Sequence, residues 1–198
     1  MKTDFNINTL REEINSFEIT GQNSYLESYK EFIKYFKSVN SIKVHHLYIA
    51  SHFVYGWMPT ILTLKVQSEK EILKLLNNAR KTKVLAHEEL ETLKVCINNS
   101  MVGLSKLLHF INPKKYPIWD SRIFRYLTKK KSQYGIGDVQ NYLDYVILIE
   151  NISNEKEYKV IHKKIESKIK YKVTPARAIE LVLFESDKKS KNKTNPND

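Results

Sequence analysis

The chain has 198 residues, a net charge of +11, and 41% hydrophobic and 11% aromatic residues, enough to bury a core of one domain's size. Five Gly and five Pro are too few for a turn-rich all-β protein, and the single cysteine excludes an internal disulfide and any cysteine-ligated cluster or zinc site. The polar N-terminus (MKTDFNINTLREE) has no apolar signal core, and no apolar run reaches the roughly 18 residues of a membrane span, so no membrane contact and a soluble, cytoplasmic protein are expected.

In chain order nearly every strong pattern is helical. Ser24 to Ser38 repeats Leu26, Tyr29, Phe32, Ile33 and Phe36 at three- and four-residue steps. Val44 to Met58 is apolar on most sides and predicts a central helix stopping near Gly56 and Pro59. Ser68 with Glu71 predicts a capping box ahead of Ile72, Leu75 and Leu76. Glu88 to Asn99 continues through Leu90, Leu93 and Ile97, with Cys96 as a buried thiol. Further on, Asp138 should cap a helix through Val139, Leu143, Val146 and Ile147. Asn154 to Lys172 is amphipathic, and Thr174-Pro175 predicts a capped start for a last helix. The end, SDKKSKNKTNPND, has no apolar residue and predicts disorder. The expectation is an all-α fold of eight or nine helices over residues 1–185, in one unit or two intimate lobes, with a polar tail over 186–198.

The centre of the chain carries the chemistry. From Met101 to Tyr134 there are eight Lys/Arg against one acid, Asp120, so much of the excess charge lies beside that carboxylate. Such a field attracts polyanions. The segment reads as a helix ending near Asn98-Asn99-Ser100, a turn at Met101–Leu104 with Gly103 free to take a positive φ, and a helix opened by Ser105. The loop Lys114–Trp119 follows, and then a third helix, SRIFRYL, capped by Asp120 or Ser121. Lys106 and Asp120 are the candidate nucleophile and carboxylate, and they should converge at the floor of an open basic cleft. No P-loop, dinucleotide fingerprint or nucleophile elbow occurs.

The elements V-G-L-S-K at Val102–Lys106 and D-S-R-I-F-R at Asp120–Arg125 resemble the hairpin and aspartate elements of the helix-hairpin-helix DNA glycosylases. The run SKLLHFINP…YPIWDSR is similar to bacterial oxoguanine-glycosylase-like proteins. The resemblance covers about 30 residues. It implies a base-excising hydrolase acting on double-stranded DNA with one base flipped out, in repair or in defence against phages with modified DNA. It implies neither metal nor cofactor. Lys106 would attack the sugar C1′ and form a Schiff base, which also opens a route to strand cleavage. Asp120 would stabilise the cationic sugar. Tyr55, Trp57, His109, Phe110 and Trp119 would line the base pocket. Gly103 and Ser105 would hold a phosphate at the hairpin, and Arg122, Arg125, Lys129 and Lys130 would contact the DNA backbone. The same residues also fit a non-catalytic nucleic-acid-binding module, or a helical interaction domain with an acidic partner.

Overall fold

The computed structural model describes residues 1–19, 24–57, 61–81 and 83–194, with the side chains of 24–26, 57 and 191–194 excepted. Among these residues the fold is all-α. The helices are α1 (Ile7–Ser16), α2 (Ser24–Ser38), α3 (Val44–Trp57), α4 (Glu69–Ala79), α5 (His87–Cys96), α6 (Met101–Ile111), α7 (Ser121–Thr128), α8 (Val139–Asn154), α9 (Tyr158–Ile169) and α10 (Pro175–Thr194). None of them is long and apolar enough to cross a membrane.

Two helices organise the packing. α6 lies against α2, α3, α4 and α5, and α10 lies against α1, α7, α8 and α9. α6 buries Leu104, Leu107, Leu108 and Phe110, while α10 buries Ala178, Ile179, Leu181, Val182 and Leu183. Both rows join one apolar cluster. The long apolar α3 is not the central helix that its composition predicts. Its apolar residues are spread around the axis, so burying one side leaves Tyr48, Ile49 and Phe53 40–45% exposed on another.

The caps explain most helix starts. Asp138 Oδ1 accepts from the backbone N–H groups of Gln140 (2.7 Å) and Asn141 (3.2 Å), as its sequence position predicts. Thr174 Oγ1 accepts from Arg177 N at 3.2 Å and donates to Pro113 O at 2.9 Å. Ser68 precedes α4 but makes no side-chain cap bond, so the predicted capping box does not form there. A comparable reach-back occurs at α5, where Glu89 Oε2 accepts from Ala86 N at 2.8 Å.

The end of the chain departs from expectation. α10 continues through Thr194 instead of giving way to disorder at Ser186. Ser186 and Asp187 are buried. The Ser186 hydroxyl donates to Glu13 Oε2 at 2.6 Å, and Arg125 clamps Asp187 with two bonds, the Nε one at 2.8 Å. Polar residues hold this segment where an apolar stripe would ordinarily do so, and charge-assisted bidentate pairs are strong enough for the task.

Candidate functional site

The α5–α6 connection is built differently from the turn that the sequence suggests. α5 ends at Cys96, and the chain turns through Ile97–Ser100 with Asn98 and Asn99 both left-handed (φ 55° and 50°). Asparagine tolerates that region better than most residues. The Asn98 side-chain amide donates to Ile61 O at 2.6 Å, and its carbonyl accepts from Thr63 N. The segment before α4 is thereby pinned to the turn.

α6 begins at Met101, so Gly103 lies inside its first turn and Ser105 in its second. Gly103 N donates to Ser100 Oγ at 3.1 Å, so this N–H is taken by the helix cap. Gly103 is there for close approach. A Cβ at this position would stand 2.4 Å from the Tyr55 hydroxyl oxygen, and Tyr55 is only 4% exposed. Gly103→Ala is therefore expected to cost about 1–3 kcal/mol from overpacking. That runs against the gain of about 1 kcal/mol that alanine normally brings to a helix interior. Urea unfolding measures it, and the loss should shrink in a Tyr55→Phe background, which removes the clashing oxygen.

Lys106 is in the second turn of α6, not at the start of a helix. Its side chain is partly buried, and burial pushes the pKa of its amine below that of an ordinary lysine. The Asp120 carboxylate and, to a lesser degree, Glu180 pull the pKa back up, while the Arg177 guanidinium presses it down. Lys106 and Asp120 are thus brought within each other's field, without a salt bridge at or under 4.0 Å among the described residues. Asp120 caps α7, its Oδ1 accepting from Arg122 N at 2.8 Å. The α7 N-terminus favours negative charge at that point.

In the same field is a buried polar network that no local sequence motif marks. Arg177 and Glu180, one turn apart on α10 and 5% and 2% exposed, form an ion pair. Glu180 Oε2 accepts from Ile118 N at 3.1 Å. Burial pushes the Glu180 pKa up to about 7, against the attraction of Arg177 and the Ile118 hydrogen bond and with some help from Asp120. His109 is fully buried, its Nδ1 2.7 Å from Tyr116 O and its Nε2 3.0 Å from the Tyr29 hydroxyl. Burial and Arg177 lower its pKa to about 3, so the imidazole is neutral. With a carbonyl beside Nδ1, that nitrogen carries the proton and Nε2 accepts from Tyr29. The Tyr145 hydroxyl is buried among these charges without a hydrogen-bond partner. The sequence signal for Arg177 and Glu180 was present in PARAIELVLF, where two charges interrupt a stripe otherwise buried.

The remaining predicted site residues divide sharply. Trp119 is fully buried, donates from Nε1 to Ile136 O at 2.9 Å and packs tilted against Tyr145 with ring centroids 4.8 Å apart. It is a core residue, as are His109, Phe110 and Tyr55. Tyr55 on α3, His109 and Phe110 on α6 and Trp119 just before α7 are each at most 4% exposed, so these four offer almost no surface to a flipped base. The Trp57 side chain lies outside the described residues. Ser105 is also fully buried. Its hydroxyl accepts from Trp119 N at 2.9 Å and can donate to Val102 O or Trp119 O, which ties α6 to the start of α7 and leaves nothing for a phosphate.

The basic residues do not form one field. Arg125 is engaged by Asp187, Arg122 lies 4.7 Å above the Phe184 ring, and Lys129 lies 4.0 Å above the Tyr126 ring. Lys129 and Lys130 are exposed at the end of α7. Lys114 and Lys115 belong instead to a cleft whose lining includes neither Lys106 nor Asp120. The amine and the carboxylate therefore lie outside that cleft, near enough for the Asp120 charge to act on the Lys106 amine. No family model, curated protein or solved structure matches the chain.

Proposed function

We propose that this protein acts on DNA as a base-excising enzyme of the helix-hairpin-helix glycosylase type, with Lys106 as nucleophile and Asp120 as the essential carboxylate. The observation that carries this reading is the Lys106 amine, lowered in pKa by burial and held in the field of a carboxylate that caps the next helix. A neutral amine is the nucleophilic form, and lowering its pKa raises that fraction near neutral pH. In the step proposed, the Nζ lone pair forms a bond to C1′ of a flipped nucleotide. The glycosidic C–N bond breaks, and its electron pair leaves with the base, which takes up a proton. Asp120 stabilises the cationic sugar while the bond breaks and accepts a proton from the ammonium that forms; the Nζ lone pair then makes C1′=Nζ as the C1′–O4′ bond breaks and O4′ takes up a proton, which gives the iminium that borohydride reduces.

Borohydride reduction with a panel of modified-base duplexes is expected to trap a covalent protein–DNA adduct, and Lys106→Gln is expected to abolish it. Trapping should reach its plateau at a pH below the range of an ordinary lysine. An adduct that persists in Lys106→Gln would remove Lys106 from the mechanism. A second reading, a non-catalytic nucleic-acid-binding module, draws support from the burial of Tyr55, His109 and Trp119, the aromatics offered for a base pocket. It predicts binding with no base release, and unchanged affinity in Asp120→Asn.

A further inference from the structure

A cleft of about 1060 Å³ opens between α2 on one side and, on the other, α8 and the loop leading into α10. It exceeds the roughly 300–1,000 Å³ of most small-molecule sites. On the α2 wall Lys30, Lys34 and Lys37 follow at i, i+4 and i+7, an exposed stripe of about 10 Å by helical rise. Lys114 and Lys172 are exposed on the facing side, with Arg80 and Lys115 set deeper. Glu150 is the acidic residue in this lining, and it is already paired with Lys115 at 3.0 Å. The exposed pair Lys34–Glu31 is of the weak kind that a polyanion displaces easily, while Lys172 is exposed but bonded to the partly buried Glu166 at 2.7 Å.

The floor is of another character. Ile33, Pro113 and Tyr171, each partly exposed, give it an apolar surface over the buried Phe36 and Phe110, and the Lys30 ammonium stands 4.7 Å from the centroid of the Tyr171 ring. Two polar atoms of this lining, Arg80 Nη1 and the Tyr171 hydroxyl, are shut off from solvent with no hydrogen-bond partner among the described residues. A buried guanidinium N–H without an acceptor is costly, so a ligand oxygen that reached these atoms by displacing the side chains over them would be held firmly.

We propose that this cleft binds a single strand of nucleic acid, with its phosphodiester backbone along Lys30, Lys34 and Lys37 and its bases laid on the aromatic and apolar floor. A strand brings both things the cleft lacks, a row of negative charge for the rim and oxygen acceptors with flat π-faces for the floor. A duplex hides its base faces and would use only the rim. An acidic amphipathic helix would match the rim but bring no oxygen acceptor to the floor. The inference is independent of the chemistry proposed for Lys106 and Asp120, since neither residue lines the cleft.

Fluorescence anisotropy with an oligothymidylate of about ten nucleotides tests it, a length within the range of known single-strand sites. Lys30→Glu/Lys34→Glu/Lys37→Glu should weaken binding at least tenfold. It should also flatten the slope of log affinity against log salt by about 2, three contacts at about 0.7 each. A charge-matched control on α9, Lys159→Glu/Lys163→Glu/Lys164→Glu, lies outside the cleft and should bind within about twofold of the unaltered protein. If circular dichroism shows the first variant unfolded, Lys114→Ala/Lys172→Ala on the opposite wall should weaken binding several-fold. The same duplex sequence and polyglutamate should displace the strand poorly. Equal losses in the cleft and α9 variants, stronger binding of the duplex, or efficient displacement by polyglutamate would each overturn the proposal. The borohydride experiment reads a different site, so either result can fail without the other.

Discussion

Arg177→Met is expected to lower the unfolding free energy by about 3–5 kcal/mol at pH 8.5, and by much less at pH 5. The guanidinium is nearly solvent-free, pairs with Glu180 and lies 4.5 Å from the Tyr29 ring centroid. Methionine preserves the apolar stem and removes the charge. Above pH 7 the unaltered protein holds Glu180 ionised against Arg177. The variant must then either keep an unpaired buried carboxylate or take up a proton to neutralise it, and both cost stability. At pH 5 Glu180 is already protonated in the folded state, so the variant loses only a hydrogen bond and some packing, about 1 kcal/mol. The double variant Arg177→Met/Glu180→Gln keeps an acceptor for Ile118 N and leaves no buried charge, so it should be more stable at pH 8.5 than Arg177→Met alone. Urea titrations of the three proteins at both pH values measure the coupling. A loss that does not change with pH would mean that Glu180 is not the group left exposed by the substitution.

The helices were legible because their signals are local. Asp120, Asp138 and Thr174-Pro175 are short-range devices, and each caps the helix that its neighbours specify. The turn before α6 departs from its local signal for a reason that is equally physical. Gly103 looked like the residue needed for a left-handed turn, but Asn98 and Asn99 take that conformation, and Gly103 is small because Tyr55, 48 residues earlier in the chain, packs against it. Contacts at that separation leave no periodic trace. The candidate aromatics failed similarly. A tryptophan beside a helix cap has the same local sequence whether it faces a cleft or the core, and Trp119 faces the core because Tyr145 and Phe124 converge on it from other elements. The α10 extension was invisible to hydropathy because the contacts that fix it, Ser186 to Glu13 and Asp187 to Arg125, are polar and distant in sequence. The Lys106–Asp120 pairing lies between these cases. The motif supplied the two residues, while Arg177 and Glu180, which set the charge around them, come from α10 and show only as charges within an apolar stripe.

Those charges give the network an unusual response to acid. Glu180 is raised from its ordinary 4.5 to about 7 by burial, so between these values the folded protein holds a proton that the unfolded chain has released. Its contribution to stability is complete below pH 4.5 and is lost as pH rises through 7. His109 is lowered from 6.5 to about 3, again mainly by burial, so between these values the unfolded chain holds a proton that the folded protein lacks. Its contribution is complete above pH 6.5 and is lost as pH falls through 3. Between about pH 4.5 and 6.5 the two oppose each other one proton for one, and this pair adds almost no pH dependence. Glu180→Gln removes one side of that balance while mimicking the protonated acid. The stability of the variant relative to the unaltered protein should therefore rise with pH by about 1.4 kcal/mol per unit between pH 4.5 and 7, then level off. Using the difference between the two proteins cancels the other titrating groups, including Asp144 and Glu166, whose lowered pKa values act alike in both. Urea midpoints at half-unit pH steps give that difference directly. A flat difference would place Glu180 at an ordinary carboxylate pKa and leave Lys106 beside two ionised carboxylates at neutral pH, which would favour its charged form and weaken the case for a nucleophilic amine.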